Sequence, residues 1–265
     1  MQSGLPVARI SPTAIDRYRE CPRRFFWHDV ERLDRDSAQS AEMIVGSAVH
    51  RALELAFQLH PHQRDEDALL RLLDASWRRF WKPSMQLNGE QEARHAAEEM
   101  LRQFPGNFDL GAIPLRLEQR VELSLPGGSR LVTRIDRVDR GRAGLRVIDY
   151  KTGRYQVDSR DLPGETAAMV HAIAIARLAG EPVERVSHFY LRSGEEVYWE
   201  PEAEDVGAAG ERLKRYLREI STDATFAPQP GDGCRMCPFA LRCPAGPAPT
   251  DLQTLLERER LPEAA

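Results

Sequence analysis

Asp149 and Lys151 stand two residues apart, and a further acid, Asp136, precedes them. Burying a carboxylate and an ammonium costs several kcal/mol per ion unless they are paired or hold a metal. An ion pair between Asp149 and Lys151, or a strand end where the chain leaves the core, would meet that requirement. The requirement would be met equally well if the carboxylates bind a metal ion and the lysine orients or deprotonates a water molecule beside it.

Two runs of alternating apolar residues, 131–138 and 145–151, flank a glycine-containing turn at 139–144, which predicts a β-hairpin. Because side chains alternate along a strand, Asp149 and Lys151 share one face with the core residues that precede them. The hairpin therefore presents an acid and a lysine together.

The choice of lysine at position 151 is unusual for this chain. Of 37 basic residues only Lys82, Lys151 and Lys214 are lysine, and the others are arginine. A compact ammonium whose pKa moves readily can orient or deprotonate a water beside a metal better than a broad, permanently charged guanidinium can. This bias favours a chemical role for Lys151.

The ordered motifs resemble those of the RecB-like branch of the PD-(D/E)XK nucleases. That family has Gly-x-x-x-His, then Gly-x-Ile-Asp-Arg-x-Asp, then Asp-Tyr-Lys-Thr-Gly, with cysteines that bracket the nuclease. The matching segments here are Gly46–His50, Thr133–Asp139 with Thr133 in place of the glycine, Asp149–Gly153, and Cys21 with Cys234, Cys237 and Cys243.

The resemblance implies hydrolysis of DNA phosphodiester bonds with Mg²⁺ or Mn²⁺. It implies that Asp136, Asp149, the carbonyl of Tyr150 and His50 bind the metal, and that Asp136, Asp149 and Lys151 are catalytic. The expected activity is that of an exonuclease acting on single-stranded DNA or DNA ends in repair or recombination.

Two other functions stay open. One is a CRISPR-associated RecB-like nuclease that trims DNA for spacer acquisition. The other is a nuclease-dead module for DNA binding or scaffolding. The second is favoured by Met169 and Ile173, which stand where RecB-like helices carry Gln and Tyr, with His171 as a substitute polar group.

The four cysteines form one constellation, with three near the end of the chain and Cys21 near its start. Four thiolates suit zinc or an iron-sulfur cluster. A disulfide framework is disfavoured because no secretory segment is visible. The resemblance implies a [4Fe-4S] cluster that clasps both ends of the nuclease, with zinc as the alternative occupant.

The periodicities predict helices at 11–33, 41–59 and 165–178, two helices within 65–104, and another at 202–220. They predict strands at 114–125, 185–191 and 195–199 besides the hairpin. Within 114–125 the alternation assigns Glu118 to the solvent face, although RecB-like sequences often carry an acid there.

The expected fold class is α/β, with a restriction-endonuclease-like core in which helices flank a mixed sheet. A helical insertion and a cysteine-cluster cap that joins the terminal segments complete it. We expect one nuclease domain over 1–250 and a tail at 251–265. Its expected parts are a cluster-binding helix (11–40), a helical part (41–110), the catalytic sheet with its helices (111–222) and a second cluster-binding segment (223–250).

The net charge of −4 provides no global field that would attract nucleic acid, so local patches must do so. The candidates are two arginine groups: 17, 19, 23 and 24, and 134, 137, 140, 142 and 146. No apolar run approaches a membrane span, which predicts a cytoplasmic protein without membrane contact. No P-loop motif is present, so any unwinding requires a helicase partner.

Overall fold

The computed structural model describes residues 4–33, 40–82 and 88–246. Side-chain caps begin three of its helices, because Ser11, Ser40 and Asp65 each accept a hydrogen bond from a first-turn amide. None of the described helices is long and apolar enough to cross a membrane. The helices are α1 (Pro12–Glu20), α2 (Pro22–Phe25), α3 (Ala41–Gln58), α4 (Glu66–Phe80), α5 (Glu90–Asn107), α6 (Thr166–Ala179) and α7 (Ala203–Thr222).

The prediction of one continuous helix over 11–33 is wrong. The helix stops at Cys21, whose backbone is extended, and resumes at Pro22 before a π-helical turn at Phe26–Val30. Proline disfavours the helical conformation in the residue before it and lacks the amide that a continuous helix needs. Pro22 therefore places Cys21 in a break between two short helices.

In the described part of the chain, six strands form one mixed sheet in the order β1-β3-β4-β5-β6, with β2 also paired to β3. Pairing is antiparallel for β3 with β4 and for β5 with β6, and parallel for β1 with β3 and for β4 with β5. The strands are β1 (Arg9–Ile10), β2 (Arg116–Ser124), β3 (Arg130–Arg140), β4 (Leu145–Lys151), β5 (Val183–Tyr190) and β6 (Glu195–Trp199).

The chain divides into two compact units, and the larger comprises Ala38–Leu123 and Val132–Leu213. Two apolar clusters lie among its described residues, one built on α3, α4 and α5 and the other on α6. Ile148 of β4 belongs to the first cluster and Val147 to the second. Since neighbouring strand residues face opposite ways, helices cover both faces of the sheet.

Strand β2 breaks the expected alternation at Glu118, whose φ of 47° lies in the left-handed region. Leu117 packs against the first cluster, whereas Val121 belongs to the second, although both have the same parity. The rotation of the backbone at Glu118 therefore changes which side chains face each side of the sheet.

The smaller unit comprises Met1–Ser37, Ser124–Leu131 and Lys214–Ala265. In its described residues, Tyr18 donates a hydrogen bond of 3.0 Å to Asp223, and Phe226 stacks on Phe26. Residues far apart in sequence thus meet in one unit. The predicted tail at 251–265 lies outside the described residues.

Candidate metal and nuclease site

Three side chains from different elements of the larger unit converge on one point. One ligand atom each from His50 on α3, Glu118 on β2 and Asp136 on β3 lies within 4.8 Å of the other two. His50 Nδ1 is 3.3 Å from Asp136 Oδ1. One nitrogen and two carboxylate donors at this spacing can hold a divalent cation.

Asp136 is held by the adjacent strand. The backbone amide of Tyr150 donates a hydrogen bond of 2.7 Å to Asp136 Oδ2. Because this bond occupies one carboxylate oxygen, the other oxygen is turned toward His50. The hairpin thus orients a carboxylate that the resemblance to RecB-like nucleases implies is a metal ligand.

Asp149 lies beside this group but is paired differently. Lys151 Nζ donates a hydrogen bond of 2.7 Å to Asp149 Oδ2, and His188 Nε2 lies 3.5 Å from the same oxygen. The register explains the second contact, because Asp149 and His188 are partners in the parallel pairing of β4 with β5. The structure therefore brings His50 and Asp136 together and places Asp149 with Lys151.

Charge pairing fixes the protonation of Lys151. Burial alone would lower the pKa of Lys151, but the adjacent Asp149 carboxylate raises it above its ordinary value. Burial opposes ionisation of Asp149 as well, but the Lys151 ammonium, with smaller contributions from His171 and His188, lowers the pKa of Asp149. Lys151 is thus an ammonium that can orient water and stabilise negative charge.

The expectation that Glu118 faces solvent is wrong. Its side chain is only 14% exposed and also pairs with Arg134 at 2.8 Å. Burial, followed by the charge of Asp136, raises the pKa of Glu118 to about 7. The left-handed backbone described above turns this acid toward the site, and only its place in the family's order of motifs hinted at this.

The prediction that Arg137 belongs to a DNA-binding patch is wrong. Its side chain is 3% exposed, pairs with Asp139 in three hydrogen bonds of 2.5 to 3.0 Å, and lies 4.1 Å from the centre of the Phe57 ring. A bidentate pair packed on an aromatic ring ties β3 to α3. The role of Arg137 is therefore to position the strand that carries Asp136.

Helix α6 presents His171 rather than Met169 or Ile173 as its polar group. Met169 and Ile173 are buried apolar residues, whereas His171 Nε2 lies 3.0 Å from Thr133 Oγ1. Burial lowers the pKa of His171, and the charges of Asp149 and Asp136 oppose this. Thr133 replaces the glycine of the RecB-like motif, and His171 is the substitute polar group of α6. These two residues thus contact each other near Asp136 and Asp149.

The buried His188 leads to a prediction about stability. Neither ring nitrogen has a hydrogen-bond partner among the described residues, and burial lowers the pKa of His188 to about 4. Its stabilising contribution is complete above the ordinary pKa of 6.5 and is lost as the pH falls from 6.5 through 4. The loss should approach about 3 kcal/mol.

Denaturant unfolding of metal-free protein between pH 7.5 and 4.5 measures this effect. His188→Leu should make the dependence on pH shallower, and His95→Gln at an exposed position of α5 is the matched control. His171 contributes with the same sign, so part of the slope should remain. An unchanged slope in His188→Leu would contradict the assignment.

The four cysteines of the smaller unit line one cavity of about 400 Å³. Backbone amides of Gln229 and Gly231 donate to the sulfurs of Cys21 and Cys234, both at 3.4 Å. Burial raises the pKa of Cys237, and the nearby charges of Cys21 and Cys243 raise it further. Four thiols around one space, with amides aimed at sulfur, fit a soft metal or a cluster.

The sequence model of the PD-(D/E)XK nuclease superfamily matches residues 9–244 of the chain. No curated protein matches the chain. The mixed six-stranded sheet flanked by helices is consistent with a restriction-endonuclease-like fold. The chain therefore belongs to the PD-(D/E)XK nuclease superfamily, whose members are metal-dependent nucleases.

Proposed function

We propose that the protein is a RecB-like exonuclease that hydrolyses single-stranded DNA or DNA ends with Mn²⁺ or Mg²⁺. The observation that carries this proposal is the convergence of His50, Glu118 and Asp136 beside the pair of Asp149 and Lys151. Carboxylate ligands suit both ions, and the imidazole favours Mn²⁺.

We assign His50, Glu118, Asp136, Asp149 and the carbonyl of Tyr150 as the residues that would hold the metal. When bound, a divalent cation lowers the pKa of water and neutralises charge on phosphate. Asp149 Oδ2 is occupied by Lys151, so Oδ1 is the oxygen that we assign to the metal. The Lys151 ammonium orients the attacking water and stabilises the charge that develops on the phosphate.

We further propose that Cys21, Cys234, Cys237 and Cys243 hold a [4Fe-4S] cluster with a structural role. The shared cavity and the two amide-to-sulfur hydrogen bonds support this assignment. Proline follows three of the four cysteines, which fixes the backbone of the binding segments. Zinc is the alternative occupant, and analysis of the purified protein for iron, sulfide and zinc distinguishes it from the cluster.

We place the activity in cytoplasmic DNA repair or recombination, beside a helicase that supplies the unwinding. Strand separation would expose the substrate, and the chain itself carries no P-loop sequence. A CRISPR-associated nuclease would use the same chemistry. The DNA that accumulates in a strain without this protein therefore distinguishes spacer acquisition from repair or recombination.

The test is degradation of end-labelled linear and circular single-stranded DNA by anaerobically purified protein with Mn²⁺, Mg²⁺ or EDTA. We expect metal-dependent shortening of the linear DNA alone, and its loss in Lys151→Ala. Cleavage of circular DNA would show that the activity is that of an endonuclease and not of an exonuclease. If neither form is cut by protein with an intact cluster, a DNA-binding or scaffold module is the better explanation.

The raised pKa of Glu118 predicts that metal affinity depends on pH. A metal must displace the proton that Glu118 retains below about pH 7, so Mn²⁺ affinity should rise as the pH increases through 7. Glu118→Gln should lower the affinity at least ~10-fold and flatten this dependence. Calorimetric titration of Mn²⁺ at pH 6 and pH 8 measures both, with Glu122→Gln on the same strand as control.

A further inference from the structure

The segment after β4 carries the most exposed tyrosine among the described residues. Tyr155 is 81% exposed and lies four residues beyond Lys151, so its backbone is at most ~14 Å from that of the lysine. A large aromatic ring left in solvent this close to a nuclease centre gains nothing for the fold.

The segment is anchored on both sides of Tyr155. On one side, Arg192 Nε donates a hydrogen bond of 2.8 Å to the carbonyl of Thr152. On the other, the amide of the buried Val157 donates a hydrogen bond of 3.0 Å to the hydroxyl of Tyr190. The ring is therefore presented from a fixed stretch of backbone, which reduces the entropy lost when a ligand stacks on it.

Positive charge accompanies the ring. Arg192 lies close enough to Arg154 for the second guanidinium to lower the pKa of the first, after the larger effect of burial. Glu42, in the first turn of α3, is the acid near both, and its pKa is lowered mainly by hydrogen bonds and less by the two arginines. On the far side of Tyr155, Gln156 donates a hydrogen bond of 2.7 Å to Glu195. The positive charge of the two arginines therefore lies on the side of Tyr155 that faces Thr152, where Arg192 is anchored.

We infer that Tyr155, Arg154 and Arg192 form a binding site for single-stranded DNA, in which Tyr155 stacks on an unpaired base and the arginines contact the flanking phosphates. Exposed aromatic side chains beside basic groups bind single strands because every base offers a π-face. Bases inside a duplex are stacked on each other and offer no such face. The site would thus select single-stranded substrate, an inference that rests on the proposed function.

Fluorescence anisotropy with a labelled single-stranded oligonucleotide and a blunt hairpin duplex tests the site. All variants carry Lys151→Ala and are measured in EDTA, so that binding is read without cleavage. Tyr155→Ala should weaken binding of the single strand about tenfold and leave binding of the duplex within twofold, whereas Tyr155→Phe should retain both. Arg154→Gln should weaken both and reduce the salt dependence by about one phosphate contact.

Tyr198→Ala is the matched control. Tyr198 is also an exposed tyrosine, at 44%, but it lies on β6 beneath the guanidinium of Arg185. This variant should bind both DNAs within twofold of the parent. Equal losses in Tyr155→Ala and Tyr198→Ala, or an unchanged affinity of Tyr155→Ala for the single strand, would overturn the inference. If the wild type still degrades DNA, only this site is refuted, whereas absence of both binding and cleavage refutes the proposed function.

Discussion

Replacing Lys151 with alanine should lower DNA cleavage at least ~10²-fold while DNA binding is retained. Removal of one electrostatic catalytic group has an effect of this size, because the developing negative charge on the phosphate loses its partner. The pairing with Asp149 keeps Lys151 charged, so the loss should persist at every pH at which the protein is folded. Single-turnover cleavage of labelled DNA measures the rate of the chemical step.

The same substitution also leaves the buried Asp149 carboxylate without its closest partner. Lys151→Gln separates the two effects, because an amide can still donate to Asp149 but carries no charge. Lys214→Ala, at an exposed position of α7, is the matched control. A rate within a few-fold of wild type for Lys151→Ala, in protein whose thermal unfolding is unchanged, would remove Lys151 from the mechanism.

Replacing Cys21 with serine should prevent assembly of the proposed [4Fe-4S] cluster and destabilise the smaller unit. Cys21 and Cys234 are more than two hundred residues apart in sequence. A link across such a loop lowers the conformational entropy of the unfolded chain, which stabilises the folded state by ~5 kcal/mol. The loss should appear as absent iron and inorganic sulfide and as a lower unfolding temperature of the anaerobic protein.

Met236→Leu provides the control for this variant. Met236 is 88% exposed and lies between Cys234 and Cys237, so its replacement alters the same turn without removing a thiol. Normal iron and sulfide in Cys21→Ser would exclude Cys21 from the cluster. Zinc without iron in the wild type would refute the cluster itself.

The regular elements were predictable because local periodicity determines them. The strands of the hairpin, β6 and helix α3 lie within about two residues of their predicted bounds. The break at Cys21 was also encoded in the sequence, since proline after cysteine disfavours a continuous helix, but the apolar periodicity on both sides obscured it.

The site was only partly predictable, because two of its members depend on events that are not periodic. Glu118 meets His50 and Asp136 because its own left-handed backbone reverses the alternation of β2. His188 meets Asp149 through the register between β4 and β5, which are more than thirty residues apart in sequence. Motif order locates an acid or a base along the chain, but register and backbone rotation decide which of them meet.

The backbone at Glu118 also bears on how this protein can evolve. A residue other than glycine in the left-handed region costs about 1–2 kcal/mol, and this cost falls on a side chain that faces the other acids of the site. Selection for thermal tolerance alone would therefore favour glycine or asparagine at position 118. The chain would become more stable but would lose one ligand of the proposed metal site, so thermal stability and the proposed activity make opposite demands on this one backbone angle.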